Sequence, residues 1–121
     1  MGLFSNLSLE SMEDLLLVEI EDLYDAEHRL TKALPKMAEA ATHPHLKTAF
    51  EIHLRETAQH VARLEKAFGL LGKSVSSKTC QAMKGLIAEG EEVISADGNN
   101  AIRDAALIAA AQRVEHYEIA A

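Results

Sequence analysis

The strongest constraint in this chain is a set of helical stripes that carry acid or histidine where an apolar seam belongs. The first runs Leu16, Ile20, Leu23, Glu27, Leu30, Leu34, Met37. The second runs Leu46, Phe50, His53, Thr57, His60, Leu64, Ala67, Leu71, and the third Ala105, Ile108, Gln112, Glu115, Ile119. Steps of four and three residues keep each set on one face of an α-helix. No Lys or Arg shares those faces. A carboxylate buried on a seam is costly unless it is paired or hydrogen-bonded. Several carboxylates and imidazoles gathered without a basic side chain ask for a metal cation.

The stripes and the turn residues predict an all-α chain. A first helix is expected from near Ser8, as cap, to about Ala41, with Pro35 kinking it or shifting its register. Thr42-His43-Pro44 is a short turn, with Pro44 suited to a first helical position. The second helix then runs from about Pro44 to Leu71. So short a link between long helices implies an antiparallel hairpin. A shorter helix from about Lys78 to Ala96 carries the stripe Cys80, Met83, Ile87, Gly90, Ile94. Asp97-Gly98-Asn99-Asn100 is the clearest turn, and the last helix begins near Ala101. The pattern is unbroken at Ala121, with no Gly, Pro or polar tail. The expectation is one domain over residues 1–121, C-terminally incomplete or with its end covered by a partner.

Composition narrows the function. Charged residues are 26% and hydrophobic residues 48%, which suits a folded chain. The net charge of -7 and the lack of a basic stripe argue against nucleic acid and against an anionic membrane surface. No segment reads as a membrane span or a signal peptide. Met1-Gly2 is a poor acylation site, because Asn6 stands where Ser or Thr is expected. The lone Cys80 excludes a disulfide within the chain and reads as a small buried residue. The expected setting is the cytoplasm.

Three groups could carry chemistry. Glu27 sits on its seam with Leu23 one turn before and Leu30 one turn after; alone, it also suits a glutamate hydrogen-bonded to a neighbouring helix. His53, Glu56 and His60 can face one point from one helix, though His–Glu pairing explains them equally. Glu115 and Glu118 stand one turn apart and could bridge one ion or two, or form an ordinary acidic face. Counted from the turn near residue 42, Glu27 lies 15 residues before it and Glu56 and Thr57 lie 14 and 15 after it, so their depths match. Where acids and imidazoles converge at one level, the carboxylates would repel one another as like charges without a cation. Iron, manganese and zinc all suit such donors. Nothing in the chain forms a Gly-rich phosphate loop, a CxxC or a nucleophile beside a base.

The blocks Asp22-Leu23-Tyr24-Asp25-Ala26-Glu27, His53-Leu54-Arg55-Glu56-Thr57 and Arg103 to Gln112 running into Val114-Glu115-His116-Tyr117-Glu118-Ile119-Ala120 resemble the YciE/YciF-like family of ferritin-like bacterial stress proteins. The resemblance spans nearly the whole chain. It implies a ferritin-like four-helix bundle with the short helix in the crossover, a homodimer, and a carboxylate-bridged centre of two iron or manganese ions. Its ligands would be Glu27, Glu56, His60, Glu115 and Glu118, in an oxidase or peroxide-handling role. Two departures stand out. Gln59, not histidine, follows Glu56 by three, and His60 follows by four. The fourth bundle helix of the family has no counterpart in this chain, so the site could be empty, completed by another chain, or rearranged. The alternative is a metal-free stress protein that dimerises or binds a partner through the stripes, with His–Glu pairs in place of ions.

Overall fold

The computed structural model describes residues 7–121. The Met1-Gly2 opening and Asn6 lie outside them. The described residues form four helices and no strand: α1 Met12–Ala40, α2 Pro44–Leu70, α3 Gln81–Ile94 and α4 Asn100–Ala120. This is the all-α, ferritin-like arrangement that the stripes and the resemblance predict. None of the four is long and apolar enough to cross a membrane.

The helix ends follow local chemistry. The cap of α1 is Ser11, not Ser8: its Oγ accepts the Asp14 N–H at 3.1 Å, and Asp14 reaches back to the Glu10 N–H at 3.0 Å. Ser11 wins because an acid three residues on can answer it, close to the capping-box arrangement. Cys80 caps α3 rather than lying inside it, accepting the Met83 N–H at 3.4 Å. Asn99 caps α4 through Ala101 and Ile102. Gly72, at φ 67, takes the left-handed conformation that closes α2.

Pro35 neither ends α1 nor moves its register. It faces solvent, while Leu30, Leu34, Met37 and Ala41 stay buried on one line through it. These pack with Phe50 of α2, Met83 of α3 and Leu107 and Val114 of α4 in one core. Full burial of each large side chain contributes roughly 1.5–3 kcal/mol.

Hydrogen bonds fix the direction of α4. Asp104, in its first turns, accepts from Thr42 and His43, whereas the Tyr117 hydroxyl, near its end, donates to Asp22 Oδ2 at 2.8 Å. Helix α4 therefore runs antiparallel to α1 and alongside α2. At the same end, Lys47 Nζ donates to the Ala38 carbonyl at 3.0 Å and Arg103 donates to the Ala40 carbonyl at 3.2 Å. Cations there complement the negative end of the α1 dipole.

One stripe is corrected. Ala105, Ile108, Gln112, Glu115 and Ile119 lie on the exposed side of α4, with Ile108 47% and Ile119 79% exposed. The buried line is Asp104, Leu107, Ala110 and Val114, continued by the half-buried Tyr117 and Glu118. Alanines occur on both lines, so apolar spacing alone could not choose between them.

Candidate metal centre

Helix α1 places Glu27 between Leu23 and Leu30 on its Leu-rich face, where it is only 5% exposed. Oε1 lies 3.6 Å from His60 Nδ1 of α2, and Oε2 is buried with no hydrogen-bond partner. Glu118 of α4 completes the group: one donor atom from each of Glu27, His60 and Glu118 lies within 4.8 Å of the others. Beside it, His53 links two acids of α4, Nδ1 at 3.3 Å from Glu115 and Nε2 at 3.3 Å from Glu118. Thr57, fully buried between the two histidines on α2, turns its hydroxyl to the His53 carbonyl at 2.7 Å.

The charges divide unevenly. Burial first, and then the nearby Glu118 carboxylate, push the Glu27 carboxyl up to about 8, so it holds a proton at neutral pH. Burial, the largest single effect, would raise Glu118 too, but the hydrogen bonds with His53 and Glu27 and the charges of the two histidines together outweigh it and hold Glu118 below the usual carboxylate range. Pairing with Glu118 in turn raises His53, against its burial. Two close carboxylates cannot both ionise cheaply, and here Glu27 takes the proton.

The structure brings together Glu27, His60 and Glu118, with Glu115 attached through His53. Glu56 is not with them: it is exposed, and its charge acts on His53 from one turn along α2. Matching depth from the turn misplaced it because side chains lean toward the N-terminus of their own helix. In an antiparallel pair Glu27 leans away from the turn and α2 side chains lean toward it. His60, one turn deeper, therefore meets Glu27. His53 is the added residue, and its place on the second stripe was the signal. Tyr24 and Tyr117 are rim and packing residues: Tyr24 donates to Glu65 at 2.8 Å, and Tyr117 to Asp22, with Cys80 Sγ 3.1 Å from its oxygen.

The donor set fits a divalent cation. Carboxylate oxygens and imidazole nitrogens suit iron, manganese or zinc, and a buried oxygen without a partner has spare coordinating capacity. Left as it is, such an atom costs about 1–3 kcal/mol.

Comparison with known proteins agrees with this architecture. Residues 11–121 match the family model described as Domain of unknown function (DUF892). The chain is 43% identical over 115 residues to the protein YciF of Escherichia coli strain K12, covering 94% of this chain and 69% of that protein. The crystal structure of the Escherichia coli stress protein YciF superposes with a TM-score of 0.87 at 43% identity, over 93% of this chain and 71% of that one. YcfI of Rhodopseudomonas palustris superposes with a TM-score of 0.90 at 44% identity, over 97% of this chain and 74% of that one. The chain belongs to the DUF892, YciF-like family.

Proposed function

We propose that this chain is a stress-response protein that holds a carboxylate-bridged pair of iron or manganese ions for oxidase or peroxide-handling chemistry. The observation that carries the reading is Glu27: a buried carboxyl with an unpartnered oxygen, beside the donor atoms of His60 and Glu118. Glu27, His60 and Glu118 would hold one ion. Glu118 would be shared with a second, held also by His53 and Glu115, and Glu56 would join only by turning its side chain inward. Such a centre, when bound, supplies electrons for reactions of dioxygen or peroxide. The protein's own part is to release the Glu27 proton, keep Glu118 ionised and orient it through His53. The stress role is suggested by the similarity to YciF. The cytoplasmic setting and the homodimer belong to the same proposal, and the exposed Met12, Leu16 and Leu70 offer apolar surface for a second copy.

One observation favours the alternative, a metal-free interaction protein. His53 and His60 already sit 3.3–3.6 Å from carboxylates, an arrangement that needs no ion when the histidines are charged. Elemental analysis of the protein after reconstitution with iron(II) or manganese(II) decides between them. Near-stoichiometric metal, lost in Glu27→Gln with helix content unchanged, supports the dimetal reading. Metal-free protein after reconstitution leaves the interaction reading.

A further inference from the structure

We propose that the groove between α1 and α3 binds a phosphate monoester through Arg29, Lys32 and Lys84. The chain as a whole, at net charge -7, repels such an anion. Against that background, Arg29, Lys32, Lys36 and Lys84 line a single groove of about 490 Å³ whose only acids are Asp25 and Glu91. That is the size range of small-molecule sites.

Both acids are already engaged. Glu91 lies 3.8 Å from Lys36 Nζ. Asp25 Oδ2 takes Arg29 Nε at 2.7 Å and the N–H of the buried Cys80 at 2.7 Å. The guanidinium is therefore held by one edge, which leaves its terminal NH₂ groups for another anion. A positioned arginine fork suits two phosphate oxygens better than a loose ammonium does. Lys32 and Lys84 come from opposite walls, and neither side chain makes a hydrogen bond or ion pair among the described residues. The buried Ala33 and half-buried Ile87 add an apolar floor to the lining, with the exposed Ala88 beside them. Fixed arginine, unpaired ammonium groups and an apolar floor together fit a phosphate carried on a small apolar body. A soluble phosphate ester and a phosphatidic acid headgroup share that chemistry.

The test is a titration of chelator-treated Glu27→Gln protein, so that no bound metal captures the phosphate. Phenyl phosphate, inorganic phosphate and vesicles containing phosphatidic acid are added at low ionic strength, where screening is weak. The readout is backbone amide shifts. Saturable shifts confined to 25–36 and 81–91 are expected, with phenyl phosphate tighter than inorganic phosphate. Lys32→Gln with Lys84→Gln should weaken binding by about tenfold or more. Lys66→Gln with Lys73→Gln, away from the groove, should not change it. Phenyl phosphate binding without vesicle binding assigns a soluble ligand; vesicle binding that the double variant abolishes assigns a headgroup. No saturable shift with any probe, or equal shifts in the double variant with helix content intact, overturns the proposal.

Discussion

Asp104 and Glu27 are both buried carboxylates, 7% and 5% exposed, yet the fold treats them in opposite ways. Asp104, at the α1–α2 turn, accepts the Thr42 N–H at 2.9 Å, the Thr42 hydroxyl at 2.8 Å and the His43 N–H at 2.9 Å. Chiefly through the Thr42 N–H, its carboxyl is held below the usual range. Glu27, midway along the hairpin, has one oxygen near His60 and one with no partner, and burial drives it up to about 8. Burial alone does not decide what a carboxylate does. The supply of donors decides: Asp104 staples α4 to a turn, while Glu27 is left able to bind something else.

The largest expected effect separates the two acids outright. Glu27→Gln or Glu118→Gln should weaken manganese binding by on the order of a hundredfold or more, whereas Asp104→Asn should leave it unchanged. Glu115→Gln should fall between, and Glu56→Gln should lie near wild type. Isothermal titration of each variant measures the series, and a Glu56 effect equal to that of Glu27 would show that the side chains rearrange on binding. In the same titration, affinity should rise with pH toward about 8, because the ion displaces the Glu27 proton.

Stability against pH sharpens the contrast next. The folded Glu27 carboxyl titrates above its unfolded value of 4.5, so the native state binds the extra proton. Metal-free protein should therefore be most stable with respect to this group below that value. It should lose on the order of a few kcal/mol as pH rises through about 8. His53, also raised, contributes with the same sign. Asp104 contributes with the opposite sign: its stabilisation is present above the ordinary carboxylate value and is lost only as pH falls through its lowered one. Urea unfolding in chelator across pH should show the alkaline decline, and Glu27→Gln should flatten it.

Removing the staple is a smaller effect. Asp104→Ala strands the Thr42 and His43 N–H groups and should lower Tm by several degrees without touching metal content. The smallest is Tyr117→Phe, which deletes the hydrogen bond to Asp22 and should cost about 1 kcal/mol in chemical unfolding.

These two acids also mark what the sequence could disclose. Glu27 was legible because leucines flank it at helical spacing on a stripe with few alternatives. The hairpin was legible from the Thr42-His43-Pro44 turn, and His53 and His60 from their shared line. On α4, alanines on neighbouring lines left Glu115 and Glu118 in sight but the buried face one residue out. Asp104 gave no local signal, because its partners are donors 61 and 62 residues earlier in the chain. The Glu27–His60 meeting depended on the lean of side chains in an antiparallel pair, which residue counting omits.

Anomalous scattering from crystals of the protein grown with manganese(II) at pH 8 tests the proposed metal centre most directly. A peak is expected within coordination distance, ~2.0–2.4 Å, of Glu27, His60 and Glu118 oxygen or nitrogen atoms. A map without a peak there, with Glu27 still buried beside His60, would contradict the proposed centre.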